Sequence, residues 1–322
     1  MIRLNTDVHP SLSEMVTENL RRRNVITIID FVSADPIKLA SFTSFTYTDI
    51  LQIKQHILKK FGGVKKNVIE LLVKECNDII PTKINSLDKL LKGGLYQGQL
   101  CEVCGSSSSG KTQLCLTIAA NVASQSDIVV WYFDTKNDFS KMRYEEIVKA
   151  RNSTQEIIEN VLCNTKICQT HSSQELIQAL RQLRIFYKQK QNDVSYADKK
   201  TFLVIIDSLP AVIFKVARNA QQSDLETTHE LDDLAHVCQL LTSECNAIVL
   251  TVNLVTQWIS PEQKHSTNMT SALGKYWAQI PTTRLFIARQ YDETRKINVW
   301  KDSRLTKNSF CTVNINHVGV TS

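Results

Sequence analysis

The chain has 322 residues, a formal net charge of +6, 43% apolar and 22% charged residues, which fits a soluble globular protein of about two domains. That balance excludes disorder, collagen-like repeats and coiled coil as descriptions of the whole. The longest apolar runs, Ile128 to Phe133 and Phe202 to Ile206, fall far short of the ~20 residues a membrane span needs. With no apolar signal segment at the N-terminus, an intracellular protein away from membranes is expected.

In chain order, Ser13 can cap a first helix carrying Met15, Val16 and Leu20, and a short second helix follows from Ile28 to Val32. Asp35-Pro36 has the form of a helix start, since the first turn needs no amide hydrogen from proline. Thr48 to Lys60 sets Ile50, Ile53, Ile57 and Leu58 on one face, at helical spacing. Residues 1–61 are therefore expected to form a small helical N-terminal domain, of a kind that touches nucleic acid or docks proteins. Gly62-Gly63 opens a linker over 62–81, with a short apolar stretch from Val68 to Val73.

Residues 82–322 alternate apolar runs with amphipathic stretches. Strands are expected at Leu100–Val103, Ile128–Phe133, Phe202–Ile206 and Ala247–Val252. Helices are expected at Lys111–Ala123, Lys141–Ala150, Ser173–Lys190 and Thr228–Cys245. Three strand-like runs close the chain, at Arg284–Ala288, Ile297–Trp300 and Cys311–Ile315. This order predicts an α/β fold, with a mostly parallel sheet and an antiparallel C-terminal extension.

Nine cysteines, an odd number at irregular spacing, point to reduced thiols. Cys101 and Cys104 form a C-x-x-C pair, but a spacing of three on a strand puts them on opposite faces, so they read as packing residues. From Lys264 onward there are nine Lys/Arg against three Asp/Glu, leaving 29 against 29 in the rest. A basic C-terminal segment suits a polyanion, though it also suits a solvated face. Seven of the nine glycines lie between Gly62 and Gly110, which marks where the backbone needs unusual conformations.

The strongest motif is Gly105-Ser106-Ser107-Ser108-Ser109-Gly110-Lys111-Thr112, which fits G-x-x-x-x-G-K-[ST] between a predicted strand and a predicted helix. Its backbone amides and the following helix N-terminus suit phosphate oxygens. Lys111 would reach the terminal phosphates and Thr112 would ligate Mg²⁺. About 95 residues later, Phe202 to Ile206 ends in Asp207, a carboxylate delivered to the magnesium shell at a strand's C-terminal end. After Ile128–Phe133 comes Asp134-Thr135-Lys136-Asn137-Asp138. Lys136 stands where a water-activating carboxylate is wanted, and a protonated lysine cannot accept that proton. Asp138 is displaced by ~6–7 Å along an extended chain, so efficient hydrolysis is not expected.

Ile84 to Leu91, with Gly93-Gly94-Leu95 and Gly98 before the phosphate loop, resembles the entry to the core of the RecA-like eukaryotic recombinases. Val32-Ser33-Ala34-Asp35, Gln113 with Cys115-Leu116, Ala119 to Ala123, Ser271 to Lys275, Trp277 and Pro281 to Arg284 extend the likeness along essentially the whole chain. They place it nearest the paralogues that do not form filaments. The resemblance implies a RecA-like P-loop ATPase core over 82–322. It makes Gly105, Ser106, Ser107, Ser108, Ser109, Gly110, Lys111, Thr112 and Gln113 nucleotide-binding, with Thr112 and Asp207 on Mg²⁺. It assigns Arg143 to the adenine ring and Asn253 to the γ-phosphate. In that family a glutamate stands at the position of Lys136.

Two family loops that face DNA correspond to Ile213 to Thr227, with Lys215 and Arg218, and to Val255 to Lys275, with Gln257, Trp258, Lys264, His265 and Lys275. The filament docking peptide, phenylalanine–x–x–alanine, is matched only by Phe61-Gly62-Gly63-Val64, which ends in valine. Hetero-oligomers with sister paralogues are therefore expected, through separate N-terminal and core surfaces, rather than a homofilament. Lys301, Arg304 and Lys307 would lie where a neighbour's ATP is capped. The expectation is a nuclear, ATP-binding mediator of homologous recombination on single-stranded or branched DNA, at most a slow ATPase. A self-assembling strand-exchange enzyme, a P-loop kinase and a scaffold with structural ATP are the alternatives.

Overall fold

A computed structural model describes residues 3–63, 67–125, 128–152, 154–192, 201–217, 224–258 and 268–322. The chain divides into two compact units, residues 1–74 and 75–322.

The first unit holds α1 (Glu14–Arg21), α2 (Ile28–Ser33), α3 (Pro36–Phe42) and α4 (Tyr47–Phe61). Thr27 with Asp30 and Thr46 with Asp49 form reciprocal capping boxes, and Asp35 caps α3 through the Ile37 amide. Each satisfies amides that a helix start leaves without partners. Ser13 takes the cap position of α1, but its hydroxyl makes no capping hydrogen bond. Leu12, Leu20, Phe31, Leu39, Ile50, Ile53 and Ile57 form the core. Leu58, expected on the same face, is instead exposed. Phe61 is the last residue of α4 and packs partly against this core, while Val64 lies outside the described residues. Where a bare linker was expected, α5 (Val68–Asn77) forms, and the division between the units falls inside it.

The second unit begins with β1 (Ile79–Ile80), α6 (Asn85–Leu90) and β2 (Leu95–Tyr96). Next come β3 (Leu100–Gly105), α7 (Lys111–Ala123), β4 (Ile128–Asp134), α8 (Lys141–Arg151), α9 (Gln155–Asn164) and β5 (Thr165–Gln169). They are followed by α10 (Ser173–Asn192), β6 (Thr201–Asp207), α11 (Leu209–Ala217), α12 (Asp224–Cys245), β7 (Ile248–Trp258) and β8 (Asn268–Ser271). The chain closes with α13 (Gly274–Gln279), β9 (Thr283–Arg289), β10 (Thr294–Lys301), β11 (Phe310–Asn316) and β12 (Gly319–Thr321).

One ten-stranded sheet organises these elements, in the order β12-β11-β10-β9-β3-β7-β6-β4-β5, with β8 on β7. The run from β5 to β9 is parallel, and β9 to β12 continue antiparallel. This is the mixed sheet of the sequence expectation. Alternate residues of β6 feed two cores. Leu203 and Ile205 join α7 residues on one face, while Phe202, Val204 and Ile206 join α10 and α12 on the other. A strand covered on both faces reads as continuously apolar, and that is the run from Phe202 to Ile206. Helix α7 is buried over most of its circumference.

Both stretches expected to face DNA overlap regular structure. Ile213 to Ala217 belongs to α11, and Val255 to Trp258 belongs to β7, paired antiparallel with β8. Pairing of β7 with β8 satisfies backbone groups that a loop would leave to water.

Candidate functional site

The phosphate loop joins the C-terminal end of β3 to the N-terminus of α7. Gly110 takes φ +100°, and a Cβ there would stand 2.3 Å from Ile315 Cδ1, so glycine is demanded twice over. A Cβ on Gly105 would meet the Ile287 carbonyl oxygen at 2.5 Å. Ser108 is also left-handed, and Ser109 is buried. The Lys111 ammonium lies within this turn and donates to the carbonyls of Gly105 (2.9 Å) and Ser106 (2.6 Å). Burial, followed by repulsion from Lys136, lowers its pKa to about 8, with Asp207 opposing the shift. The loop thus holds a desolvated cation on carbonyl oxygens that triphosphate oxygens would replace.

Asp207 ends β6 and is in register with Asp134 at the end of β4. Its Oδ2 accepts from the Tyr132 hydroxyl at 2.9 Å. Its buried Oδ1 has no hydrogen-bond donor among the described residues, and Lys136 Nζ stands 3.8 Å away. A buried carboxylate oxygen without a donor suits a cation. Asp207 Oδ1 therefore fits a magnesium ion that arrives with a triphosphate, with Thr112 at the start of α7 as the hydroxyl expected beside it. No group of three or more His, Cys, Asp or Glu among the described residues forms a metal cage.

The loop after β4 is tied down rather than poised for proton transfer. The Asp134 carboxylate accepts from the amides of Lys136, Asp138 and Phe139. The Thr135 hydroxyl donates to the Ser208 carbonyl at 2.8 Å and accepts the Ser208 amide at 2.7 Å. Asp138 is exposed.

Other expected residues make hydrogen bonds to protein partners. Asn253, expected at the γ-phosphate, is fully buried. It donates to Glu102 Oε1 at 2.7 Å, and its carbonyl oxygen accepts the Leu254 amide. Arg143, expected on adenine, donates to Gln113 (3.1 Å), Glu146 (3.2 Å) and the carbonyls of Asn316 and His317 (2.6 Å each). It clamps α7 and α8 to the β11–β12 turn, and Gln113 is its partner there. Lys301, expected to cap a neighbour's ATP, donates to the carbonyls of Gln279 and Pro281 at 2.7 and 2.8 Å. A helix C-terminus gathers cations in this way. Arg304 pairs with Asp302 at 3.1 Å and lies over the Tyr96 ring. Lys307 is exposed.

Of the residues expected at DNA, Lys275 is exposed on α13. Lys215 falls on α11, and Gln257 and Trp258 on β7. Their side chains, together with Arg218, Lys264 and His265, lie outside the described residues. Cys101 and Cys104 are free and buried, on opposite faces of β3, and burial raises the Cys101 thiol to about 12.

Two residues of the site were missed in the sequence. Tyr132 supports Asp207, and Arg295 donates from Nε to the Ser109 carbonyl at 3.1 Å. The signal for Arg295 was its alternation with Ile297 and Val299, which placed an arginine at an inward position of a strand. Tyr132 shares the strand face of Val130 and Asp134 by the same period of two.

A family profile described as Rad51 matches residues 77–322. A second, described as RAD51D, N-terminal domain, matches residues 1–59. The mouse protein "DNA repair protein RAD51 homolog 4" is 29% identical over 287 residues, spanning 88% of this chain and 84% of its own length. The Bos taurus protein of the same name is 28% identical over 309 residues, spanning 94% and 90%. "DNA repair protein RAD57" of Saccharomyces cerevisiae is 26% identical over 254 residues, spanning 73% of this chain and 51% of its own length.

Proposed function

We propose that this chain, which belongs to the Rad51 family and is of the RAD51D type, is an ATP-binding subunit of a nuclear recombination-repair assembly. It would act as a mediator on single-stranded or branched DNA, joined to sister paralogues, with hydrolysis that is slow or dependent on partners. The names of its relatives, DNA repair proteins throughout, support the repair role.

The observation that carries the reading is a well-formed phosphate loop beside a site without a free carboxylate base. Lys111 and the loop amides would bind the terminal phosphates, and Arg295 braces the loop through Ser109. Magnesium, held by Thr112 and Asp207, would neutralise charge on the phosphate oxygens. Of the three carboxylates at the ends of β4 and β6 and in the loop after β4, none stands uncommitted inside the site. Asp134 is occupied by three amides, Asp207 faces Tyr132 and Lys136, and Asp138 is exposed. Nucleotide would then act by occupancy, as a clamp between elements or subunits.

Single-turnover hydrolysis by the full chain, with and without single-stranded DNA, tests this. ATP is expected to bind while turnover stays slow. Robust hydrolysis by the isolated chain, abolished by Asp207→Asn and unaffected by Lys136→Ala, would overturn it.

In the N-terminal unit, Ile28, Ile29, Val32, Leu58 and Phe61 line a shallow apolar groove, with Ile29 and Leu58 more than half exposed. This supports a partner-docking surface on the N-terminal unit. Ile29→Asp with Leu58→Asp is expected to abolish co-purification of the partner held there and to leave ATP binding unchanged. Undiminished co-purification would contradict this surface.

A further inference from the structure

We propose that Tyr132 is a positioning residue of the magnesium site: its hydroxyl takes one oxygen of the Asp207 carboxylate and so keeps the other available to the metal. The inference rests on the nucleotide-binding reading above and assigns Tyr132 a role of its own within it.

Strand register brings the two residues together. Tyr132 lies opposite Ile205 in the parallel pair of β4 and β6, and Asp207 stands two residues further along β6. Residues two apart on a strand share a face, so the phenol reaches diagonally across to the carboxylate. Its hydroxyl donates to Asp207 Oδ2 at 2.9 Å, in a buried position. Phe139 meets the Tyr132 ring edge-on, with centroids 5.0 Å apart, and is itself anchored by its amide on Asp134. The donor is therefore held in place from two sides.

The carboxylate needs such a partner. The terminal torsion of an aspartate has a broad, two-fold profile, so its direction is set by what it bonds to. With Oδ2 spent on Tyr132, Oδ1 is left buried and without a hydrogen-bond donor among the described residues, and Lys136 Nζ stands 3.8 Å from it. Without the phenol, the carboxylate is free to turn and pair closely with that ammonium, and a carboxylate so paired offers less to a divalent ion. Ligating carboxylates are commonly oriented by a second partner in this way, and loss of that partner weakens metal binding by about 10–100-fold.

Calorimetric titration of ATP into the full chain, in excess chelator and again in saturating magnesium, gives the factor by which magnesium strengthens binding. Tyr132→Phe keeps the ring and removes only the hydroxyl, so the variant should remain folded, as circular dichroism would verify. It is expected to lower the magnesium factor by about tenfold and to leave the affinity in chelator within about twofold of the natural chain. A variant that merely loosened the fold would lose affinity in both conditions alike. In the Asp207→Asn background the same substitution should change the factor by less than about twofold, since Tyr132 acts through that carboxylate. An undiminished factor in Tyr132→Phe, equal losses with and without magnesium, or a full further loss in the Asp207→Asn background overturns this inference and leaves the nucleotide-binding reading standing. Binding that magnesium does not strengthen in the natural chain removes Asp207 as a metal ligand, and this inference with it. No binding in either condition removes the nucleotide-binding reading itself.

Discussion

Replacing Glu102 by alanine is expected to lower the melting temperature of the full chain by about 10 °C, the consequence of roughly 3–5 kcal/mol lost from a domain of this size. Glu102 lies on β3 with no exposed surface. Its Oε1 accepts from Asn253 Nδ2 (2.7 Å) and Trp277 Nε1 (2.8 Å), and its Oε2 from Arg284 Nε (2.5 Å) and the Cys104 thiol (2.9 Å). One carboxylate therefore joins β3, β7, β9 and α13. Removing it strands the guanidinium of Arg284, a residue 8% exposed, and leaves buried donors unmet. A stranded buried charge costs far more than the intact pair contributes. Glu102→Leu with Arg284→Met should accordingly recover about half of the loss, since no charge is then left buried. Thermal melts followed by circular dichroism give the answer, and a Glu102→Ala melt within about 2 °C of the natural chain would remove this network from the account of stability. β3 runs directly into the phosphate loop, so the variant should also weaken ATP binding.

Lys111→Ala has the opposite profile. It is expected to weaken ATP binding by about 100-fold or more, as a charge-assisted phosphate contact in a dry site would, without destabilising the ligand-free chain. The ammonium is held against desolvation and against Lys136, which is why its pKa falls from 10.5 to about 8. Between those values the unfolded chain holds the extra proton, so stability rises with pH across that window. The gain should be present in the natural chain and absent in Lys111→Ala, as urea unfolding at stepped pH would reveal. A variant that loses much stability at neutral pH would mean that the lysine supports the empty loop through its bonds to Gly105 and Ser106.

Long, strongly patterned elements were legible in the sequence because their signals are local. The run from Phe202 to Ile206 is apolar throughout because helices cover both faces of β6, and α7 is apolar because it is buried nearly all round. Elements with weak local signals were not. β5 is an edge strand with no fully buried residue, so nothing in Thr165 to Gln169 alternates. β8 exists through its pairing with β7. α9 lies in a stretch where no helix was expected, although Thr154 caps it.

The phosphate loop follows from the sequence alone, since glycine at φ +100° and a lysine at the head of a helix are demands of the adjacent chain. So does the lack of a carboxylate at position 136, because residue type decides which group can take a proton. Where Arg143, Asn253 and Lys301 spend their hydrogen bonds was settled only by the tertiary structure. Carbonyls at the β11–β12 turn, the buried Glu102 and the C-terminal end of α13 each needed a donor, and those needs arise only once distant segments meet. The pairing of Lys136 with Asp207 belongs to the same class. It joins residues 71 apart in sequence through the parallel register of β4 and β6, a contact that no local pattern encodes.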